Sequence, residues 1–97
     1  MIKMSVLYPA TEGAEFDHDY YVNKHVPLAI KTWGLPENTS MIEKGINGPY
    51  VAAVHFVFED MEKMGAALGA PGTADVTADV ANYTTIQPVT QISEIVG

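Results

Sequence analysis

The residues that could perform chemistry in this sequence concentrate in the segment FDHDYYVNKHVPLAIKTWG, residues 16–34. Projected at about 100° per residue, this segment places Tyr21, His25 and Ala29 one helical turn apart on one face. Histidine exchanges protons near neutral pH, a tyrosine hydroxyl can donate or accept a hydrogen bond, and the small alanine leaves space beside them. Such a combination is typical of a small-molecule site, although a histidine among apolar residues is more often part of a core. Both interpretations of His25 stay open from the sequence.

Pro27 lies on the opposite face of the same predicted helix, together with Tyr20 and Lys24, and we interpret this face as solvated. A proline inside a helix removes one backbone hydrogen bond and clashes with the preceding turn. On a solvent face, the carbonyl of Asn23 that loses its partner can turn to water. We therefore expect a bend at Pro27 that opens space beside His25.

The composition restricts the possible partners of the protein. Twelve acidic residues face five lysines and no arginine, which gives a formal net charge of −7 at pH 7. Nucleic acids are bound by clustered basic side chains, and the lysines here are scattered, so we expect no nucleic acid and favour an uncharged or weakly acidic small organic molecule. The chain has no cysteine, which excludes thiolate chemistry. No stretch approaches the roughly 18 apolar residues of a membrane span, and we expect a cytoplasmic protein that binds no membrane.

The hydrophobic periodicity predicts the element order strand, helix, strand, strand, helix, strand in one domain over residues 1–97. Asp17 and Gly34 are the expected ends of the first helix. The pair Asn47-Gly48 suits a tight hairpin turn between the second and third strands, because such turns need positive φ. The predicted strands cover residues 2–8, 39–45, 50–58 and 84–96.

The second helix is predicted to begin at Asp60 and to run over residues 60–70. Met61, Met64 and Leu68 recur at spacings of three and four, so we expect all of them to face the core. A short helical turn and a loop should follow within residues 72–83.

This order predicts an α+β, ferredoxin-like βαββαβ fold with a four-stranded antiparallel sheet and both helices on one face. The fourth strand is then at an edge, where Pro88 is tolerated. Alternation along the third strand places Val54 and Phe56 beneath the helices and turns His55 to the other face. That face is apolar, so we expect a second copy to cover it in a symmetric homodimer. The residues of the third strand on that face are Val51, Ala53, His55 and Val57.

Two stretches of the sequence resemble a known family. YYVNKHVPL in the first helix and ADVANYTTIQPVTQISEI near the end are similar to the EthD family, named for ethyl tert-butyl ether degradation. The resemblance implies a dimeric α/β barrel built from two ferredoxin-like subunits. The wider superfamily includes cofactor-free monooxygenases, lactone isomerases, polyketide cyclases and haem-using branches, with sites commonly between helices and sheet.

The resemblance also implies candidate site residues. His25 carries over as a site residue. Independently of the resemblance, we expect Tyr21 or Tyr83 to orient or protonate a substrate oxygen. Asp79 is equally compatible with a cap, a loop anchor or a catalytic group, and Tyr83 with a pocket wall, a proton donor or core. The motif positions near the last strand are Asp79, Asn82, Tyr83 and Thr84.

The function expected from these features is His-assisted proton transfer on a phenolic, lactone or polyketide-like compound, by an isomerase, a cyclase or a cofactor-free oxygenase. We expect no cofactor and no metal, since the three histidines lack the local spacing of metal ligands. Two alternatives stay open. One is a dimeric binding protein without catalysis in a degradation pathway, and the other is a haem protein with His25 as axial ligand.

Overall fold

The computed structural model describes residues 1–36 and 40–97, which form one four-stranded antiparallel sheet with helices on one face. The strands are β1 (Ile2–Pro9), β2 (Met41–Lys44), β3 (Tyr50–Phe58) and β4 (Val89–Glu94). The helices are α1 (His18–Tyr20), a π-helical turn (Tyr21–His25), α2 (Val26–Trp33), α3 (Met61–Leu68), α4 (Thr73–Asp79) and a 3₁₀ turn (Val80–Asn82). The expected α+β, ferredoxin-like order of elements is confirmed.

The sheet has the strand order β2-β3-β1-β4, so that β1 pairs with both β3 and β4. This order makes β4 an edge strand, as predicted. The strand is shorter than expected: it begins at Val89, and Pro88 stands just before it rather than inside it. Because proline has no N–H, a position outside the ladder leaves no pairing interrupted.

The first helix begins and ends where the sequence indicates. The carboxylate of Asp17 accepts a hydrogen bond from the Tyr20 N–H at 3.1 Å, and Gly34 ends α2 in the left-handed region at φ +65°. Between them, the chain widens into a π-helical turn in which the Val26 N–H donates to the Tyr21 carbonyl, five residues back. The sequence predicts a bend here but not this turn.

The helix face that was expected to be buried is largely confirmed. Tyr21, His25, Val26 and Ala29 are buried, and Pro27 is exposed, as predicted. Val22, which the projection also placed on the buried face, is 44% exposed, and that prediction is wrong. Val22 lies inside the π-helical turn, where the backbone departs from the regular spacing of about 100° per residue used in the projection.

The β2–β3 hairpin is present, but its turn is not the tight one predicted. The last backbone contact before the loop is the Gly45 N–H to the Val51 carbonyl at 2.8 Å, and residues 46–49 form the loop. Gly48 has φ +131°, whereas Asn47 does not have positive φ. The prediction of a tight turn with positive φ at both residues is therefore wrong. The part of the predicted second strand at Thr39 lies outside the described residues.

The second helical layer differs from the prediction in its packing. Asp60 begins α3 as expected, accepting a hydrogen bond from the Lys63 N–H at 2.8 Å. Of the three residues expected in the core only Met64 is buried, while Met61 is 54% and Leu68 37% exposed. The reason is that α3 has only eight residues and is followed by α4, a full helix where a short turn was expected, which shares the cover of the sheet.

Alternation along β3 is as predicted. Ala52, Val54, Phe56 and Phe58 are buried beneath the helices, and the opposite face carries the remaining residues of the strand. The core therefore lies between the helices and one face of the sheet. Within the described part of the chain, no helix is long and apolar enough to cross a membrane.

Candidate functional site

A cavity of about 220 Å³ lies between the helices and the sheet. Its floor is the helix-facing side of β1 and β3, with Met4, Val6 and Phe56 among the lining residues, and its roof includes His25 and Ala29. Leu68 and Thr90 also line it and are exposed, so the cavity reaches the surface between α3 and β4. Leu68 therefore lies at the mouth of this cavity. It was expected in the core.

His25 is held in this cavity by Asp79. The His25 Nδ1 and an Asp79 carboxylate oxygen are 2.9 Å apart, and both side chains are largely shielded from water. An ionised carboxylate can only accept a hydrogen bond, so Nδ1 carries the proton. The neutral ring then has its lone pair at Nε2, and no described residue hydrogen-bonds to that atom. His25 lines the cavity and Asp79 does not, and Nε2 is not a fully buried atom.

The electrostatics keep His25 neutral near pH 7. Burial lowers the pKa of His25, and the hydrogen bond and charge of Asp79 oppose this shift without reversing it. An imidazole whose pKa lies below its usual value of 6.5 is unprotonated at neutral pH. It can accept a proton at Nε2, as a general base must.

Asp79 is itself fixed by three donors at the end of α4. Its carboxylate accepts from His25, from the Tyr20 hydroxyl at 2.8 Å and from the Asn82 side-chain amide at 2.9 Å. Burial alone would raise the pKa of Asp79, but these hydrogen bonds outweigh it and hold the pKa below its usual value. Asp79 is therefore an ionised, oriented partner of His25. The interpretation of Tyr20 as a solvated residue is wrong, because its half-buried side chain reaches across to Asp79.

An aromatic cluster stands behind His25. The hydroxyl groups of Tyr8 and Tyr83 are 2.5 Å apart and hydrogen-bonded, the Tyr83 ring lies 4.6 Å from the imidazole, and the Tyr21 ring stacks on the imidazole at 5.7 Å between centroids. Burial raises the pKa of Tyr8, Tyr21 and Tyr83. The three phenols are therefore protonated donors at neutral pH. The buried Tyr21 hydroxyl is a neighbour of the Tyr8 hydroxyl but makes no hydrogen bond of ordinary length to a described residue.

The structure places the other sequence candidates as follows. Tyr21 and Tyr83 pack against His25 but do not line the cavity, whereas Tyr8 does. Thr84 has a structural role, since its hydroxyl donates to the Glu15 carbonyl at 2.6 Å. Tyr8 was missed by the sequence analysis. The signal was available, because alternation along β1 puts Tyr8 on the same face as Met4 and Val6, beneath the first helix.

The remaining histidines lie away from this cavity. His18 is half-buried against Phe16, with ring centroids 4.6 Å apart. His55 is on the opposite face of the sheet, where its Nδ1 is 2.7 Å from the Ser5 hydroxyl and its Nε2 is 2.7 Å from a Glu43 carboxylate oxygen. A wider depression of about 660 Å³ beside the β2–β3 hairpin includes His55. Neither histidine is positioned to act with His25.

A haem group does not fit the cavity. Its volume of about 220 Å³ is below the roughly 300–1,000 Å³ typical of sites for drug-sized ligands, and a haem macrocycle is larger than such ligands. His25 could act as an axial ligand only if the packed walls rearranged. Among residues 1–36 and 40–97, no three His, Asp or Glu side chains converge in a way that could hold a metal ion.

The topology and the cavity define the class of protein: a ferredoxin-like α+β chain with a small cavity between helices and sheet. A family model for the EthD domain matches residues 9–87, and the chain belongs to the EthD family. The resemblance noted in the two sequence stretches is thereby confirmed.

Solved structures extend this comparison. The chain is 41% identical to an EthD-like protein from Ralstonia eutropha JMP134, with a TM-score of 0.89 over 99% of this chain and 92% of that one. An EthD family protein from Bacillus halodurans C-125 is 20% identical, with a TM-score of 0.70 over 99% of both chains. An antibiotic biosynthesis monooxygenase-like protein from Deinococcus radiodurans is 14% identical, with a TM-score of 0.64 over 99% and 92%, which shows a shared fold alone. No curated protein matches the chain.

Proposed function

We propose that this protein is a small-molecule enzyme in which His25 transfers a proton as general base and acid. The observation that carries the proposal is the Asp79–His25 pair, which leaves Nε2 unbonded among the described residues at the wall of a largely apolar cavity. Nε2 is not a fully buried atom, so a ligand or a water molecule can reach it and hydrogen-bond to it there.

The reaction begins with proton abstraction. Nε2 takes a proton from a carbon next to a carbonyl group or from a hydroxyl group, and the electron pair moves onto the substrate oxygen. The imidazolium, stabilised by Asp79, returns the proton to oxygen or to another carbon. The composition of the substrate is unchanged, as in an isomerisation or an intramolecular cyclisation. A phenolic, lactone or polyketide-like compound provides such an acidic hydrogen.

A cofactor-independent oxygenase is the second candidate, because two structural neighbours are described as antibiotic biosynthesis monooxygenase-like proteins. The same deprotonation would serve that reaction by producing an electron-rich anion. One atom of O₂ would enter the substrate, and the other would leave as water with two substrate hydrogens. Oxygen uptake, measured with the compounds used below, distinguishes the two candidates.

The active form is proposed to be a homodimer that covers the sheet face opposite the cavity. This face carries Val51, Ala53 and Val57 of β3 together with Leu7 of β1, whose register partner is Ala53. A sheet face of this composition needs a cover in water. In this arrangement each subunit keeps its own cavity on the far side of the sheet.

Hydrogen–deuterium exchange tests the proton-transfer proposal without knowledge of the natural substrate. Neutral β-diketones, enol lactones and hydroxyaryl ketones are incubated with the protein in D₂O, and exchange next to the carbonyl is followed by NMR. The wild-type protein should accelerate exchange of at least one compound. His25→Asn should reduce the acceleration by roughly 10²–10⁴, because asparagine cannot take up a proton.

Two controls make the exchange result specific. His18→Asn changes a histidine outside the cavity and should exchange at the wild-type rate. His25→Ala should remain folded, with a melting temperature within a few degrees of the wild type, because a cavity-facing side chain contributes less to packing than a core one. Equal exchange by wild type and His25→Asn, or binding of the compounds without any exchange, would refute catalysis, and the latter would favour a binding protein.

A further inference from the structure

The polar groups of the cavity are distributed unevenly. Trp33, Thr73 and Thr77 line it, but their side-chain donors are already used. The Trp33 indole N–H donates to the Thr73 hydroxyl at 2.9 Å, that hydroxyl donates to the Ala67 carbonyl at 2.9 Å, and the Thr77 hydroxyl donates to the Thr73 carbonyl at 3.2 Å. The N–H and O–H donors on this side of the cavity are therefore engaged, and only hydroxyl lone pairs are left to accept from a ligand.

A donor and an acceptor that could both serve one ligand oxygen are at the other end. His25 Nε2 has no hydrogen bond to a described residue, and Tyr8 is the tyrosine that lines the cavity. The Tyr8 hydroxyl is bonded to Tyr83, whose ring packs against His25, so these groups are neighbours. When Tyr83 donates to the Tyr8 oxygen, the Tyr8 O–H is free to donate elsewhere. The hydroxyl of Thr90 also lines the cavity, but Thr90 is exposed and belongs to the mouth.

The charge of the site disfavours ions. Among residues 1–36 and 40–97, no Lys, Asp or Glu side chain lines the cavity. His25 is neutral at pH 7, and the chain has a formal net charge of −7. An anionic ligand would lose its hydration without gaining a cation partner, which is strongly unfavourable. The negative protein would also repel it at a distance.

We propose that the cavity selects a neutral compound of about one ring that has a single oxygenated end, and that Tyr8 is the residue that hydrogen-bonds to this oxygen beside His25. The inference rests on the proposed function for the location of the site. It adds the ligand class and a residue that the proton-transfer scheme does not require. The apolar part of the ligand lies along Met4, Val6 and Phe56.

Tyr8 has a defined part in the proposed step. When His25 removes a proton, negative charge develops on the ligand oxygen, and a hydrogen bond from the Tyr8 O–H to that oxygen becomes stronger. Tyr83, by donating to the Tyr8 oxygen, polarises the Tyr8 O–H and holds it in place. No proton needs to leave Tyr8, which agrees with the raised pKa of its buried phenol.

Binding of three matched probes tests the inference, with 4-methylphenol, toluene and 4-methylbenzoate titrated into the full chain by NMR. The phenol should bind roughly two- to tenfold more tightly than toluene, the factor expected for one net hydrogen bond. The benzoate should not bind at concentrations that saturate with the phenol. In Tyr8→Phe the advantage of the phenol over toluene should decrease, because only the hydrogen bond from the phenol to His25 is left, while toluene affinity is retained.

Two further variants guard against a folding artefact. Tyr8→Phe leaves the buried Tyr83 hydroxyl without its partner, so the double variant Tyr8→Phe/Tyr83→Phe, which removes both hydroxyl groups, is measured as well. It should fold and show the same loss, because removing both hydroxyl groups leaves neither member of the Tyr8–Tyr83 hydrogen bond unpaired. Tyr50→Phe changes an exposed tyrosine outside the cavity and should bind all probes like the wild type.

The outcomes separate the two proposals. Equal affinity for phenol and toluene in the wild type, tight binding of the benzoate, or an undiminished phenol advantage in both Tyr8 variants would overturn the ligand class or the role of Tyr8. The expected binding pattern without hydrogen–deuterium exchange would support the ligand class and refute the catalysis. Exchange by the wild type without the binding pattern would support the catalysis and refute the ligand class.

Discussion

At the scale of the residue, the site depends on two opposing effects on the pKa of the His25 imidazole. Burial removes water that would stabilise the protonated ring, and the carboxylate of Asp79 offers a partial replacement. The desolvation effect is the larger one, so His25 stays neutral while Asp79 fixes its tautomer and its orientation. Tyr20 and Asn82 act one step further out, because they hold the Asp79 carboxylate.

These two effects predict the pKa and the tautomer of His25. In ¹H–¹⁵N spectra of the ring, His25 should titrate below 6.5, and its neutral form should carry the proton on Nδ1. Asp79→Asn should lower the pKa of His25 further, because it removes the only influences that raise it. His18, outside this network, is the internal control. A His25 pKa above 6.5, or one that rises in Asp79→Asn, would contradict the assignment.

The same shift sets the sign of the pH dependence of stability. Because the pKa of folded His25 is below the unfolded value of 6.5, the unfolded chain binds more protons as the pH falls below 6.5. The contribution of neutral His25 to the free energy of unfolding is therefore complete above pH 6.5 and is lost as the pH falls through the folded pKa.

At the scale of the element, the π-helical turn Tyr21–His25 explains how Pro27 is tolerated. A regular helix would require the Pro27 nitrogen to donate to Asn23, which proline cannot do. The widened turn already pairs the Val26 N–H with the Tyr21 carbonyl, five residues back, and the proline ring is exposed. The turn ends at His25, so the irregular backbone and the candidate base coincide, as is frequent for π-bulges at functional sites.

Pro27→Ala tests this relation. The new N–H can join the helix, so the free energy of unfolding should be unchanged or higher by up to about 3 kcal/mol, as measured by urea denaturation. The ring resonances of His25 should shift because the turn that positions it can anneal to a regular helix. Lys31→Ala, an exposed change on the same helix, should leave those resonances in place. Unfolding of Pro27→Ala would mean that the ring is packed rather than solvated.

At the scale of the whole molecule, the helices cover one face of the sheet and leave the other bare. On this second face a row of hydrogen bonds joins Ser5, His55 and Glu43 across three strands, and apolar side chains surround the row. The hydrogen bonds satisfy the polar groups within the subunit, which makes the face compatible with burial against a second copy.

Ala53→Glu tests the proposed dimer. The wild type should sediment as a dimer at micromolar concentration. A glutamate at position 53, which is 7% exposed and pairs with Glu43 across β2 and β3, would bury like charges at the interface. This variant should therefore be monomeric, with circular dichroism confirming that it is folded. Ala66→Glu, on the exposed surface of α3, should remain dimeric. A monomeric wild type would remove the dimer from the proposal.

The sequence by itself determined the features that depend on neighbouring residues. Caps at Asp17 and Asp60, the end of the first helix at Gly34 and the alternation along β3 follow from local backbone and side-chain preferences, and they were enough for the order of elements and the fold. The choice of His25 also came from a local pattern, one helical turn with a tyrosine and a small residue.

Only the tertiary structure decided which groups meet His25. Asp79 is 54 residues away along the chain, and the Tyr8–Tyr83 hydroxyl pair is separated by 75 residues. Their contacts depend on how α4 and the 3₁₀ turn pack over β1, which no local preference encodes. Because of the same packing, Met61 and Leu68 are exposed rather than part of the core. Tyr20 likewise contacts Asp79 rather than standing in solvent. Periodicity reports which face of an element is apolar, whereas a hydrogen bond requires two such faces to be placed within a few tenths of an ångström.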